Sequence, residues 1–287
     1  MSARLANHDR LRIVGLLSPA YLWLTVAIFL PLSAMFYFSF LSDVPFGNTE
    51  WTYTTENYAA FFQTSTYATL LWKSIRLGLI VTVIAVLVGF PCAYVLAKVI
   101  KGRSREALFL LVILPFWSNS LVRIFSWAIV LRGNGVLDLG VNAILPFEVD
   151  VNLMFSTPAI VIGLVHSYLP YVILTCYLAL QAIDDNLIDA ARSMGASKFT
   201  ILWRVILPLS LPGLLAGAVL IFVPVVGSFM EPRILGGRGG TYYGSVIEDL
   251  FVAVFYWPLG AALSFILLAV VLLILAVASP VLKRAQT

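Results

Sequence analysis

The residues best suited to do work lie in one stretch. It reads Asp184-Asp185-Asn186-Leu187-Ile188-Asp189-Ala190-Ala191-Arg192-Ser193-Met194-Gly195-Ala196-Ser197-Lys198-Phe199 and runs on through Trp203 and Arg204 to Pro208. The chemistry these types support is docking, not bond-making. Asp184 or Asp185 can cap a helix N-terminus, because a short side-chain oxygen accepts from the orphan backbone N–H groups. Leu187, Ile188, Ala191 and Met194 recur at helical spacing and fall on one face. Gly195 stands where a helix C-terminus calls for a residue free to take positive φ. Ser197 can cap a second helix carrying Phe199, Leu202, Trp203 and Ile206. The product is two short helices broken by a glycine, exposing an apolar stripe. Such a stripe fits a protein partner and equally a helix lying among lipid headgroups.

A second set of polar residues sits in apolar surroundings. Arg123 falls near the middle of an apolar run, where a charge is expensive in hydrocarbon and turns toward a cavity or a partner. Asn119, Ser120, Arg123 and Trp127 share one side of a helix. With Trp117 and Tyr171 they are expected to face a polar path, the alternative being a structural hydrogen bond to a neighbouring helix. Glu231, followed by Pro232, is either a cation-contacting carboxylate or an interfacial charge in water. His166 has no second ligand at metal spacing, so no metal site is expected and a packed histidine is. Cys92 and Cys176 both lie in apolar segments and read as buried thiols. Gly213 and Gly217 form a small-xxx-small pair that permits close helix approach. The glycines from 236 to 240 lack the Lys-Ser/Thr of a phosphate loop and read as a flexible turn.

These groups need elements to hold them, and composition says what kind. Of the 287 residues, 61% are hydrophobic and 11% charged, against about 25% charged in ordinary soluble domains. So few charges cannot build a water-facing surface. Spans need about 20 apolar residues each, and six such runs occur, at 13–40, 74–97, 107–130, 157–180, 209–230 and 250–280. The first is too long for a signal h-region and has no small-residue cleavage site close behind, so it is expected to remain as a span. The expected fold is all-α and polytopic, one membrane domain over 1–287 with six transmembrane helices. Trp51, Tyr53, Tyr58, Trp72, Tyr242, Tyr243, Tyr256 and Trp257 lie near span ends, where an aromatic belt is expected.

Basic residues set the orientation. The N-terminal tail holds Arg4, Arg10 and Arg12; the link after span two holds Lys98, Lys101, Arg103 and Arg105; the link after span four holds Arg192, Lys198 and Arg204; the C-terminal tail holds Lys283 and Arg284. By the positive-inside rule these segments and both termini are expected in the cytoplasm. The alternate links carry Asp43, Glu50, Glu56, Asp138, Glu148, Asp150, Glu231, Glu248 and Asp249. The net charge of +4 collects at helix ends and forms no continuous patch, so nucleic acid is not an expected partner. The zincin and G-x-S-x-G signatures and paired membrane aspartates are absent from the sequence, so no catalytic residue is expected. An ion channel would need a filter or a charged ring. A secondary transporter would be expected to show an inverted repeat.

The spacing in the docking segment resembles a known family. Asp189-Ala190-Ala191, Gly195 four residues on, then Ile206 and Pro208 are similar to the EAA loop of binding-protein-dependent ABC importer permeases, with Asp189 where the family has Glu. Pro115-Phe116-Trp117-Ser118-Asn119-Ser120-Leu121-Val122-Arg123 resembles the third span of the spermidine/putrescine group. The segment Gly227 to Gly237 and Glu56-Asn57-Tyr58 with Phe61 and Phe62 are similar to further parts of that group. Relatives often carry an acid where Ser228 stands. The resemblance implies a type I ABC importer permease fold in the inner membrane, importing a small polar solute such as a polyamine. Phosphonates, opines and iron complexes are alternatives. It implies that loop 184–207 couples to the ATPase through Asp189, Ala190, Ala191, Gly195, Ser197 and Lys198. It implies a second, homologous permease, a dimer of cytoplasmic ATPase subunits and a periplasmic or lipid-anchored solute-binding protein. ATP and Mg would be bound by the ATPase partner, with no cofactor in this chain.

Overall fold

The computed structural model describes residues 2–44, 50–147 and 149–284, with side chains described between 14 and 279. Glu148 and the side chains of Arg4, Arg10, Arg12, Lys283 and Arg284 lie outside the described residues. The helices are α1 (Ser2–Phe38), α2 (Glu56–Gln63), α3 (Ser65–Tyr94), α4 (Arg103–Ile113), α5 (Ser120–Leu131), α6 (Val136–Ile144), α7 (Thr157–Gln181), α8 (Asp185–Ser193), α9 (Lys198–Ile201), α10 (Leu207–Val226), α11 (Met230–Gly236), α12 (Tyr243–Val252) and α13 (Trp257–Arg284). Among the described residues no strand forms beyond one isolated bridge, Leu41 to Tyr53. The fold is all-α, as expected. Six helical segments are long and apolar enough to cross a membrane: Val14–Phe38, Ser65–Val99, Ser120–Ile144, Thr157–Gln181, Lys198–Val226 and Trp257–Ser279.

Two expected runs are redrawn. The run 107–130 is not one helix. α4 ends at Ile113, a 3-10 turn covers Leu114–Trp117, and Ser118 and Asn119 are extended before α5 restarts. Pro115 offers no N–H to the turn before it. The Asn119 side chain accepts from the Leu121 N–H at 2.8 Å and so starts a new helix. The run 250–280 is also interrupted, because α12 stops at Val252 and Phe255 takes φ +56° before α13 begins. Cys176 is buried as expected, but Cys92 is exposed within this chain.

Contacts group the chain into two compact units, residues 1–64 with 249–266 and residues 65–248 with 267–287. In the first, Asn57 is buried and donates to the Ser39 carbonyl at 3.1 Å and the Leu41 carbonyl at 2.8 Å. Tyr58 shares a 2.8 Å hydrogen bond with Ser39, and the Tyr256 hydroxyl reaches Asn57 Oδ1 at 3.3 Å. Asn57 and Tyr58 thus hold the turn that follows α1.

In the second unit α3, α7 and α10 pack on one another. Ala93, Leu96, Val172, Cys176, Leu180, Ala191, Ile201 and Ile221 form one core beneath the 184–207 segment. Leu77, Val81, Ile124, Leu164, Val225 and Leu235 form a second toward the opposite end. Close approach depends on small residues. A Cβ on Gly213 would collide with Ala179, and one on Gly217 with the Thr175 hydroxyl. The small-xxx-small pair therefore marks a real α7–α10 contact. The 236–240 glycines form a packed turn, where a Cβ on Gly240 would strike the Pro232 carbonyl. Gly217→Val should destabilise the purified protein by about 1–3 kcal/mol through overpacking. Gly140→Ala, which has open space around it, should be silent. Thermal unfolding in detergent checks both, and an unshifted midpoint for Gly217→Val would remove the packing claim.

Candidate functional site

The 184–207 segment folds much as its sequence dictates. Asp184 caps α8, its carboxylate accepting from the Asn186 N–H at 2.9 Å. The helix ends in a Schellman motif. The Ala196 N–H donates to the Ala191 carbonyl at 3.1 Å and the Gly195 N–H to the Arg192 carbonyl at 3.0 Å. Gly195 has φ +82° between them, a conformation other residues adopt only with strain. Ser197 caps α9, accepting from the Thr200 N–H at 3.2 Å. A π-helical turn, Leu202–Ile206, then leads into α10.

The apolar face divides. Ile188 and Ala191 turn inward onto the core, and Ala196 joins them. Leu187, Met194, Phe199 and Trp203 stay outside, 51%, 82%, 70% and 54% exposed, with the Phe199 and Trp203 rings 5.8 Å apart. The expected single stripe of Leu187, Ile188, Ala191 and Met194 is thus split. One edge anchors the helix and the other is left free. Asp189 is exposed and paired with Arg192 at 2.8 Å. Ala190, Gly195, Ser197 and Lys198 are likewise exposed.

What fixes α8 to the bundle was not read from the sequence. Lys98, in the π-helical turn Val95–Val99 that ends the second span, donates to the Ile183 carbonyl at 2.7 Å and to Asp185 Oδ1 at 2.6 Å. Its side chain is only 8% exposed. Asp184 does the capping, which leaves Asp185 for this latch. The Lys98 ammonium holds the Asp185 carboxyl below the usual carboxylate range. A lowered carboxyl pKa stabilises above its unfolded value and is lost only as pH falls through the folded one, so the latch is closed at neutral pH.

The second cluster forms where α5, α7 and α11 meet. Arg123 bends back to donate to the Pro115 carbonyl at 2.6 Å, stitching across the break between α4 and α5. Its Nε is buried without a hydrogen-bond partner among the described residues, as is His166 Nδ1. The Trp127 and His166 rings meet edge to face at 5.4 Å, the packed histidine expected. Tyr171 stacks edge-on with Phe116 at 4.4 Å and lies 6.1 Å from Tyr168. Glu231 is 8% exposed, on α11. Burial pushes its carboxyl up, while the Arg123 charge and the nearby Ser167 hydroxyl pull it back. Arg123, Tyr171 and Glu231 are therefore neighbours in one polar cluster, to which Tyr168 and Ser167 contribute without a sequence signal. Trp117, 91% exposed, and Asn119, the α5 cap, stand apart from it. Asn119 lies one turn before Arg123, its carbonyl accepting from the Arg123 N–H at 3.2 Å. Among the acids of the alternate links, Asp138 is buried and satisfied, accepting from the Asn134 and Val151 N–H groups and the Asn142 amide.

Six apolar helical segments, a glycine-capped surface helix at one end and a buried polar cluster are the features of a multi-pass membrane protein. The comparisons agree: residues 85–285 match the family of binding-protein-dependent transport system inner membrane components, and the chain belongs to that family. It is 34% identical over 265 residues to the spermidine/putrescine transport system permease protein PotB of Haemophilus influenzae, covering 91% of this chain and 92% of the relative. The PotB protein of Escherichia coli is 34% identical over 255 residues, covering 89% and 92%. The inner membrane ABC transporter permease protein YdcU of Escherichia coli is 25% identical over 234 residues, covering 78% and 74%. A solved bacterial ABC transporter involved in import of the acidic polysaccharide alginate superposes with TM-score 0.75 over 99% of both chains at 16% identity. That likeness shows the importer permease fold.

The latch yields a direct expectation. Lys98→Met leaves the Ile183 carbonyl without a donor, which costs about 1–3 kcal/mol. Hydrogen–deuterium exchange of α8 should then quicken about tenfold or more, while Lys98→Arg stays close to the parent. Unchanged exchange in Lys98→Met would show that α8 is held otherwise.

Proposed function

We propose that residues 1–287 act as one permease domain of an ATP-driven importer, with loop 184–207 as the coupling element. The observation that carries this is the free edge of α8 and α9: Leu187, Met194, Phe199 and Trp203 exposed on a rigidly capped helix pair at the family's motif spacing. Asp189, Ala190, Ala191, Gly195, Ser197 and Lys198 form the polar and backbone part of that docking edge. The partners are a homologous second permease, a pair of cytoplasmic ATPase subunits that bind ATP and Mg, and a solute-binding protein on the other face. This subunit has no catalytic residues and binds no cofactor itself. Both termini and loop 184–207 lie in the cytoplasm, a reading supported by the basic residues at that end of the spans.

The solute is a small organic cation of the polyamine type. Support comes from the names of the 34% identical relatives and from Glu231, held with Tyr168 and Tyr171 in the buried cluster. A carboxylate beside aromatic rings suits an ammonium, each ring face adding about 0.5–2 kcal/mol. Arg123 favours an anionic solute instead, unless Glu231 neutralises it. Trp117 and Asn119 belong to the path only if the α4–α5 break opens toward it.

Two experiments test these readings. Gly195→Val should insert and assemble normally yet lose transport and solute-stimulated ATP turnover, because a β-branched residue does not hold φ +82°. Normal turnover in the assembled variant would remove the coupling role. For the solute, Glu231→Gln should reduce uptake at least about tenfold and polyamines should compete. Competition by anionic solutes only, with Glu231→Gln silent and Arg123→Gln inactive, would reverse the assigned sign.

A further inference from the structure

The second span carries two cations that neither the docking segment nor the polar cluster uses. Lys73 and Arg76 lie three residues apart on α3. The Lys73 ammonium donates to the Gly239 and Thr241 carbonyls at 2.8 and 3.0 Å and stands 4.3 Å from the centroid of the Tyr242 ring. These neutral partners pin the 237–241 turn but leave the charge unbalanced. Arg76 is exposed, and neither cation has an ion pair among the described residues. Both open on a cavity of about 320 Å³, completed by Leu77, Ile80, Thr157 and Tyr242. The Thr157 and Tyr242 hydroxyls add polar groups to its wall. Thr157 is the first residue of α7, so the dipole of that helix adds further positive potential. Two like charges at this spacing repel, and a single anion between them relieves both.

Depth identifies the anion. Arg76 and Lys98 are 22 residues apart on one continuous helical span, about 33 Å at 1.5 Å per residue. That is close to the hydrocarbon thickness of about 30 Å. With Lys98 at the 184–207 end, Arg76 sits at headgroup level in the opposite leaflet. Trp72, 66% exposed, lies one turn above it. Leu79, Val83 and Leu87, 50%, 55% and 68% exposed, continue the same helix face below. From Arg76 to Leu87 is about 16 Å along the helix, the depth of one leaflet's chains. A cationic pocket above an apolar stripe of that length has the pattern of a phospholipid.

We propose that this pocket binds the phosphate of an anionic phospholipid in the leaflet opposite the 184–207 segment. Arg76 is its main contact, the Thr157 and Tyr242 hydroxyls lie beside it, and an acyl chain follows Leu79, Val83 and Leu87. Its residues are distinct from the Arg123, Tyr171 and Glu231 cluster. Lipid binding to the assembled, detergent-purified transporter tests it by native mass spectrometry, with phosphatidylglycerol or phosphatidylethanolamine added in mixed micelles. Phosphatidylglycerol should be retained in preference to phosphatidylethanolamine. Arg76→Gln should weaken that retention about tenfold and Arg76→Lys should keep most of it, with excess inorganic phosphate failing to displace the lipid. Equal retention by the parent and Arg76→Gln overturns the proposal. Displacement by inorganic phosphate overturns the lipid as its ligand. Loss of the second permease from the Arg76→Gln complex, with lipid retention unchanged, assigns the cation to a protein carboxylate instead.

Discussion

Hydrocarbon offers a peptide group no hydrogen-bond partner, so each crossing segment must satisfy its own backbone. This constraint makes the chain a set of long helices and leaves packing to decide the rest. Between helices in lipid there is no hydrophobic drive, and association depends on close contact and on a few polar links. Here the contact is made by glycine. Gly78 faces Phe222 and Val226, Gly89 faces Val172, and Gly213 and Gly217 face Ala179 and Thr175, which draws α3, α7 and α10 into one core. The polar links cluster at its two ends, with Lys98 on Asp185 and Ile183 at one and Lys73 on the 237–241 turn at the other.

Rigidity at α8 has a mechanical consequence. A surface helix that receives force from a partner can pass it on only if it is fixed to the spans behind it. α8 is fixed three ways: by the buried edge of Ile188 and Ala191, by the Schellman motif that joins it to α9, and by the Lys98 latch to the second span. The turn that carries the latch, Val95–Val99, and the turn that joins α9 to α10, Leu202–Ile206, are both π-helical. Such turns are commonly found at functional positions, and here they lie where the 184–207 segment meets the second and fifth spans.

The opposite property appears at the α4–α5 break. Leu114 to Asn119 interrupts a stretch that hydropathy alone reads as continuous, and the Arg123 side chain bridges the gap to Pro115. Buried Nε and Nδ1 atoms of Arg123 and His166 lack partners among the described residues. An unpaired buried donor or acceptor is unfavourable, and this cluster is where a polar solute or water has the most to offer.

Much was legible in the sequence because its causes are local. Apolar run length set the number of crossings at six, Gly195 required a left-handed turn, and Ser197 was a cap. Gly213 and Gly217 announced a close approach without naming the partner helix. Tertiary structure decided what depends on groups distant in the chain. Whether Asp184 or Asp185 caps α8 is settled by Lys98, 87 residues from Asp185. Which edge of the apolar stripe is free depends on where the core lies. That Arg123, Tyr171 and Glu231 share a cluster, while Trp117 and Asn119 do not, follows from the break after α4 and from α11 folding against α5 and α7. Hydropathy averages over such a break, since one proline and one asparagine cap barely change the mean of a twenty-residue window. The direction in which each side chain points is fixed only by the helix packed against it.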